Sequence, residues 1–377
     1  MIMDALLLFL IICLCSTFVC IDSSVTDIYV VNSIADIASN NDPGACSPSS
    51  PLDSSLCNLR SAFGYCVQNV FTSPPATCAI HIYAGLSLPF NTTLGPLNYT
   101  CDSVNCMNHL YIHANNSKIT SSGPSRSTVG LIHLTNTIIT VNNLIVEGFD
   151  TREAGNGSVL SLDHCTLNLY NSVLKNNLAV NGGAIYAAAN STVSIVNSEF
   201  ISNFATDFGG AVAIDNNNTV SVTNCSFDGN QATVGGGAVS IYEGNRNAII
   251  ENSIFTSNMA ITSFANKNVY DTYGGGAVFF YQYNDYLILR NNTFQENRAD
   301  YNNLTYVSYT VGLGGAVTIV YYNDHVLIEG CNFHDNFGLF GGNYQLLSIP
   351  LLSFSYLFLI MLSITFSICR WSFSERL

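Results

Sequence analysis

The sequence predicts an all-β protein, a right-handed parallel β-helix, and two observations support this fold class. First, a Phe-x-x-Asn motif followed by Gly-Gly-Ala recurs between residues 171 and 342. The alanines of the triplet are separated by 27, 27, 39 and 39 residues: Ala184, Ala211, Ala238, Ala277 and Ala316. Second, apolar residues alternate within each unit, as at Val193 and Ile195, which is the period of a strand. A strand-only repeat of this length fits one coil of a solenoid, whereas a propeller blade needs about 40–50 residues.

Stacking of the coils gives each recurring position a physical role. The phenylalanines of the motif are expected to lie above one another inside the helix, where each contributes about 1.5–3 kcal/mol by burial. The asparagines are expected to form an inward ladder in which the amides of successive coils satisfy one another. The predicted core columns are Phe200, Phe227, Phe255, Phe294 and Phe333, and Asn203, Asn230, Asn258, Asn297 and Asn336. Gly-Gly-Ala supplies a turn residue that tolerates positive φ, followed by a small corner residue.

The amino terminus is predicted to be a signal peptide over residues 1–22. An uninterrupted apolar run covers residues 5–19, and the polar residues Asp22, Ser23 and Ser24 follow it. The residues before the run include Asp4 but no Lys or Arg. The alternative is an N-terminal membrane anchor, which the short run disfavours.

Residues 23–107 are predicted to form a disulfide-rich N-terminal cap. An even number of cysteines lies here, which indicates three disulfides without fixing their pairing: Cys46, Cys57, Cys66, Cys78, Cys101 and Cys106. Zinc binding is a weaker interpretation of these cysteines, because no Cys-x-x-Cys pair occurs among them. A short amphipathic capping helix is predicted because apolar residues from Leu59 to Val70 share one helical face. Such a helix would cover the open end of the solenoid.

The segment VVNSIAD…GAC…LCNLRSAF resembles the CSLREA-type module that precedes β-helix repeats. Cys57, Leu59, Arg60 and Ala62 match its Cys-x-Leu-Arg-x-Ala core, whereas Asn58 replaces the usual Ser or Thr and Ser61 the usual acid. The repeats over residues 108–344 resemble those of chlamydial polymorphic membrane proteins and of the right-handed β-helix (pectin-lyase-like) superfamily. The resemblance implies the fold much more specifically than it implies an activity.

Secretion is also indicated by Asn-x-Ser/Thr sequons. Nine are candidate glycosylation sites: Asn91, Asn98, Asn115, Asn156, Asn190, Asn217, Asn224, Asn291 and Asn303. The chain carries a formal net charge of −14, which argues against nucleic acid and anionic lipid as partners.

The two intervals of 39 residues carry insertions at residues 261–272 and 300–312. Both leave their coil after the Asn column, so we expect them to project side by side. Their tyrosines form the candidate binding surface: Tyr270, Tyr273, Tyr301, Tyr306 and Tyr309. An adjacent stretch carries Tyr281, Tyr283, Tyr286, Tyr321 and Tyr322. Aromatic faces dock sugar rings or protein partners; the alternative is that tyrosine simply populates exposed strand faces.

Residues 346–369 are predicted to be a transmembrane helix, because they are uncharged and long enough to span a bilayer. Arg370 and Arg376 follow, so residues 370–377 are expected to be a cytoplasmic tail and the repeats extracellular. The last coil is incomplete, which leaves open a degenerate or truncated member of the family.

Catalysis is not predicted. Arg246, Arg290 and Arg298 and the acids near them are scattered singly between coils, and a glycosidase needs paired carboxylates. His325 and His334 lack a third ligand at metal spacing, so neither a metal nor a cofactor is expected. The first hypothesis is therefore an anchored surface protein that recognises carbohydrate or another surface protein. The alternative is a polysaccharide lyase or glycoside hydrolase with an unrecognised arrangement.

Overall fold

The computed structural model describes residues 25–30, 57–72, 75–101, 108–122, 130–153, 155–262, 273–301, 311–320, 322–338 and 344–346. Within these residues the chain is almost entirely short parallel strands, stacked in three long sheets of a solenoid. The chain is thus a β-helix-like repeat protein. Some predicted features lie outside the described residues: the signal peptide, the cytoplasmic tail, the apolar segment after Leu346, Cys46, Cys106 and Asn303.

Sheet A has 17 strands because each coil contributes two consecutive segments to it. In two of the early coils one long strand, His109–Ser121 or Ile138–Glu147, spans both segments. From the coil of Thr166 onward a left-handed residue lies between the two segments. Its strands are β1 Val25–Val30, β2 Thr77–Ile82, β3 Ser87–Phe90, β5 His109–Ser121, β7 Ile138–Glu147, β9 Thr166–Tyr170, β10 Val173–Lys175, β13 Thr192–Val196, β14 Glu199–Ile201, β17 Thr219–Thr223, β18 Ser226–Asp228, β21 Arg246–Glu251, β22 Ile254–Thr256, β26 Asp285–Arg290, β27 Thr293–Gln295, β31 Leu327–Glu329 and β32 Asn332–His334.

Two further long sheets complete each coil, and a two-stranded sheet lies beside them. Sheet B contains β4 Leu97–Thr100, β6 Ile132–Thr135, β8 Leu160–Asp163, β12 Ile185–Ala187, β16 Val212–Ile214, β20 Val239–Glu243, β25 Val278–Gln282, β30 Val317–Ile319 and β34 Tyr344–Leu346. Sheet C contains β11 Leu178–Ala179, β15 Phe204–Ala205, β19 Gln231–Ala232, β23 Met259–Thr262, β28 Arg298–Tyr301 and β33 Phe337–Gly338. The small sheet pairs β24 Tyr273–Gly274 with β29 Val311–Leu313. A coil therefore passes from sheet B to both segments of sheet A and then to sheet C.

The phenylalanine column forms one continuous stack in the core. Each ring lies opposite its counterpart in the next coil, from Phe200 to Phe333. Adjacent ring centroids are 4.7 to 4.9 Å apart, and the rings are within 12° of parallel. The first four are fully buried, whereas Phe333 in the last described coil is only partly buried.

Replacing Phe227 with alanine is expected to destabilise the protein by about 3–5 kcal/mol, because a cavity would open between two buried rings. The matched control is Ile254→Ala, which removes an apolar side chain that is 51% exposed; it should cost no more than about 0.5 kcal/mol. Urea unfolding of both variants measures the difference. Equal losses would contradict a stabilising stack.

The asparagine column is a hydrogen-bonded ladder. From Asn177 to Asn297, each side-chain Nδ2 donates to Oδ1 of the asparagine one coil further on, at 2.9 to 3.1 Å. The same Oδ1 also accepts the backbone N–H of the preceding asparagine. Each Nδ2 from Asn203 onward donates, in addition, to a backbone carbonyl such as Phe227 O. The ladder therefore satisfies polar groups that the solenoid would otherwise bury unpaired.

Two further ladders stand at the other corners, and in each the inward residue follows a left-handed one. One runs from Ser191 through Asn218 and Asn245 to Asn323. The other contains serines and Cys225, whose backbone N–H donates to Ser253 Oγ at 3.1 Å.

The free cysteines Cys165, Cys225 and Cys331 belong to such corners. Their thiols donate to backbone carbonyls, for example Cys225 to Thr223 O at 3.2 Å. They act as weak hydrogen-bond donors in a serine position, besides packing as small apolar residues. Burial raises the pKa of Cys165 and of Cys225 to about 11, so both stay protonated at neutral pH.

The N-terminal cap contains the predicted helix as α1 Leu59–Tyr65, continued by a π-helical turn Cys66–Val70; a 3₁₀ turn follows at Thr92–Leu94. Asn58 caps α1, because its Oδ1 accepts the Ser61 N–H at 2.8 Å. Asn is, with Asp and Ser, among the residue types that serve best as N-caps.

Arg60 fixes the loop beside α1. Its guanidinium donates to backbone carbonyls between Asn91 and Pro96 and lies 4.5 Å from the centre of the Phe90 ring. Cys66 and Cys78 form a disulfide with each other. Cys57 and Cys101 each take part in a disulfide as well. Among the described residues, no helix has the length and apolarity that a bilayer span requires.

Candidate functional site

The two insertions leave and re-enter the solenoid side by side. Where they leave, Ile261 pairs with Asp300 and Thr262 with Tyr301. Where they return, β24 pairs with β29 and lies against the glycines at Gly235–Gly237. Tyr270, Tyr306 and Tyr309 of the predicted binding surface lie outside the described residues, and for Tyr273 and Tyr301 only the strands are described. The binding role of these tyrosines remains a prediction.

The corner between sheets B and A carries exposed aromatic residues in an unusual backbone conformation. One residue per coil has a φ of about +55° to +65° at this corner. Earlier coils place Asn190, Asn217 and Gly244 there, which are residue types that tolerate positive φ. The next two coils place Tyr283 and Tyr322, with φ of 55° and 54°. A bulky side chain in this region costs about 1–2 kcal/mol, so tyrosine lies here against the preference of the backbone.

A second left-handed column begins three residues later. Its first residue, Asn247, is the extra residue of a bulge, because Thr219 pairs with Arg246 and Val220 with Ala248. The following coils place Tyr286 and His325 in the same position, with φ of 54° and 48°. The substitution of an aromatic residue for asparagine is thus repeated in both columns.

The four aromatic side chains form two stacked pairs on the outside of the corner; we call Tyr283, Tyr322, Tyr286 and His325 the aromatic corner. The ring centroids of Tyr283 and Tyr322 are 5.2 Å apart, and those of Tyr286 and His325 are 4.5 Å apart. The tyrosines are 48% to 56% exposed. Below Tyr283 the previous coil has Gly244, and a Cβ built there contacts only Asn217. Since Gly244 has no side chain, the ring stack of this column ends at Tyr283.

Polar groups surround these rings. Asp285 accepts the Tyr286 N–H and Asp324 accepts the His325 N–H, so each carboxylate holds a left-handed residue in place. His325 Nδ1 also lies 2.7 Å from Asp285 Oδ1, and this hydrogen bond, assisted by the charge of Asp324, raises the pKa of His325. The ligand atoms of Asp285, Asp324 and His325 are within 4.8 Å of one another, a spacing that could hold a metal ion. Arg246, in the preceding coil, lies opposite Asp285. The aromatic corner is therefore bordered by both hydrogen-bond donors and acceptors.

The other charged residues considered from the sequence are not brought into one site. Arg290 lies between Glu251 and Glu329, at 3.5 and 3.1 Å, in an exposed ion pair of the kind that stabilises little. The guanidinium of Arg298 lies 5.0 Å from the Phe337 ring centre. His334 lies beside Asp335, and His325 beside Asp285. Several sequon asparagines occupy left-handed corners with exposed side chains: Asn115, Asn190, Asn217, Asn224 and Asn291.

The comparison with known families identifies one coil. The Chlamydia polymorphic membrane protein repeat matches residues 224–242. This stretch contains Phe227 and Asn230 of the two core columns and the Gly-Gly-Ala turn that follows them, so the similarity lies in the residues that build the coil. No curated protein and no solved structure matches the chain.

The sequence draws attention to the tyrosine-rich stretch but not to its conformation. An available signal was the alignment of the repeats with one another, which places Tyr283 and Tyr322 in a column of Asn and Gly. The second column is visible in the same way, because Asn247, Tyr286 and His325 each lie nine residues after the alanine of their triplet. Earlier coils have no counterpart, since the bulge at Asn247 adds this residue.

Proposed function

We propose that the protein is a cell-surface recognition protein, wound as a right-handed β-helix, that binds carbohydrate at the aromatic corner. The observation that supports this most is the exposure of stacked aromatic rings at backbone positions that asparagine or glycine fills in neighbouring coils. Strained, exposed residues of this kind cluster at binding sites. The similarity to the polymorphic membrane protein repeat supports a surface location. Right-handed winding is what crossover connections between parallel strands almost always adopt.

Carbohydrate fits the chemistry of the corner. A sugar ring presents apolar C–H faces that pack on aromatic rings and hydroxyl groups that both donate and accept hydrogen bonds. The rings of Tyr283 and Tyr286 offer the apolar surface, while Asp285, Asp324 and Arg246 offer acceptors and a donor. We further propose that the signal peptide and the C-terminal apolar segment place this corner outside the cell, with the sequon asparagines glycosylated.

The test uses the double variant Tyr283→Asn, Tyr322→Asn, which restores the residue type that Asn190 and Asn217 have at the same corner. The double variant should be at least as stable as the parent, since asparagine tolerates positive φ better than tyrosine. Retention on an array of polysaccharides should nevertheless fall about tenfold, because two ring contacts of about 0.5–1.5 kcal/mol each are lost. Retention by the full-length protein, purified in detergent with its glycans intact, measures this.

The control is Tyr170→Gln, which changes a half-buried tyrosine on sheet A four coils before the coil of Tyr283 and creates no Asn-x-Ser/Thr sequon. It should leave retention unchanged. Undiminished retention by the double variant would contradict the proposed site. New chain ends on any retained polysaccharide would instead support the lyase or hydrolase alternative.

A further inference from the structure

The outer face of sheet B carries a cleft that lies apart from the aromatic corner. Tyr186, Ala213, Ser240 and Phe279 are opposite one another in four successive coils, so their side chains form one outward row. The two small residues in the middle leave a gap between the two rings. With a strand spacing of about 4.8 Å, the gap is about two coils wide. The cleft has a volume of about 180 Å³.

Aromatic rings form the walls of this cleft and are held by contacts of their own. Phe208 meets Tyr242 edge to face, with centroids 5.7 Å apart and planes at 63°. Tyr242 is stacked on Tyr281 at 4.6 Å, and Phe208 on Phe279 at 5.9 Å. The loop before Phe208 is fixed as well, because the Phe208 N–H donates to Asn181 Oδ1 at 3.2 Å. A ligand would therefore meet a corner of two rings without having to order them.

Among the described residues that line the cleft, the charged ones are both acids, Asp207 and Asp215, and none is Lys or Arg. The Tyr186 hydroxyl donates to Asp215 Oδ2 at 2.7 Å, which fixes the direction of that carboxylate. Burial, together with Asp215, raises the pKa of Tyr186, so its hydroxyl stays protonated and continues to donate. Anions are disfavoured in such a cleft, and cations are favoured.

One polar atom at the base of the cleft is unsatisfied. Ser240 is 1% exposed, and its Oγ has no hydrogen-bond partner in the described part of the chain. A buried hydroxyl without a partner costs about 1–3 kcal/mol. The neighbouring Ala213 has no polar side chain that could bond to this hydroxyl. A hydrogen-bond partner for Ser240 Oγ would therefore have to come from outside the described residues.

We propose that this cleft binds an organic cation, an alkylammonium or guanidinium head group. Rings set at an angle attract a cation through their faces, and the carboxylates of Asp207 and Asp215 supply the opposite charge. The chain shows the same preference elsewhere, since Arg60 and Arg298 each lie over a phenylalanine ring. The site is separate from the aromatic corner and does not depend on carbohydrate binding there.

The experiment titrates the full-length protein in detergent with choline and with 3,3-dimethylbutan-1-ol, its neutral analogue of the same shape. Isothermal titration calorimetry should show choline binding at least about tenfold more tightly than the alcohol. Butylammonium, butylguanidinium and a Gly/Ser peptide with one central lysine form the remaining arms. Equal affinity for the peptide and the small amines indicates a free small molecule, and tighter binding of the peptide indicates a partner protein's side chain. Both outcomes support a cation site.

Two variants test the location. Asp215→Asn should weaken choline binding about tenfold, whereas Asp228→Asn, an exposed acid on sheet A, should not change it. If the loss of the Tyr186 hydrogen bond disturbs folding, Ala213→Phe is the second test. It fills the cleft in a row that already holds Tyr186 and Phe279, removes no hydrogen bond, and should abolish binding. The double variant of the aromatic corner should bind choline normally.

The proposal is overturned if the alcohol binds as tightly as choline, if none of the cations binds, or if Ala213→Phe folds and still binds. A uniform loss in Asp215→Asn and Asp228→Asn would also contradict it, because the effect would then be one of net charge.

Discussion

Gly210→Ala is expected to be among the most damaging single methyl additions in the solenoid, costing about 5 kcal/mol or more. A Cβ built on Gly210 lies 2.0 Å from Gly237 O and 2.5 Å from Gln231 O, both backbone atoms of the next coil. Neither atom can rotate away as a side chain could. The new methyl group can be accommodated only if neighbouring coils separate, which would break the strand pairing between them. The same contact recurs at Gly183, Gly237 and Gly276.

The control is Gly229→Ala, and urea unfolding of both variants is the measurement. Gly229 has a φ of +62°, and its Cβ would meet only Ser202 Oγ at 3.6 Å. This substitution therefore carries the conformational cost of about 1–2 kcal/mol without the clash. A similar loss in both variants would show that coil spacing tolerates a methyl group at Gly210, which would contradict the close approach.

These glycines show how far the repeat can be interpreted from the sequence. The recurring Gly-Gly-Ala predicts a turn that needs positive φ and a small residue, and the first glycine does have a φ of +60° to +67° in four of the five coils. The second has a different role, because it lies against the carbonyl of its counterpart one coil away. Sequence letters identify both positions as glycine but cannot separate a conformational requirement from a steric one. That distinction needs the spacing between coils.

The inward columns are the most predictable part of the molecule. Phenylalanine and asparagine recur at a fixed offset, and stacking in register turns a repeated letter into a repeated contact. The serine and cysteine column was harder to predict, since Ser198, Cys225 and Asn292 share a location but not a residue type. What unites them is a left-handed residue just before and an accepting or donating atom pointing inward.

Outward sites were only partly predictable. The residues of the cleft row on sheet B, from Tyr186 to Phe279, each lie two residues after the alanine of a Gly-Gly-Ala triplet, so the repeat already aligns them. What the repeat does not give is the position of Phe208 and Tyr242, whose rings form walls of the cleft. The left-handed conformation of the aromatic corner is also not indicated by its tyrosines. Sequence patterns therefore align outward residues, but they do not show which of them enclose a site.

Asn258→Ala is expected to cost about 4–6 kcal/mol, although it removes only a small polar side chain. Asn258 is fully buried in the ladder. Its Oδ1 accepts from the Asn230 backbone N–H and from Asn230 Nδ2, both at 3.0 Å, and its Nδ2 donates to Phe227 O at 2.9 Å. Alanine leaves these groups without this partner where water cannot reach them. Each buried group that loses its partner costs about 1–3 kcal/mol, and the empty space adds to the loss.

Asn332→Ala is the matched control, since Asn332 is exposed on a strand of the last described coil. It should cost no more than about 0.5 kcal/mol. Urea unfolding measures the stability of both variants, and hydrogen exchange at the amide of Asn230 reports the local effect. That amide should exchange much faster in Asn258→Ala and normally in Asn332→Ala. Unchanged protection of the Asn230 amide would mean that another group replaces the lost acceptor, and the ladder would then be redundant at this corner.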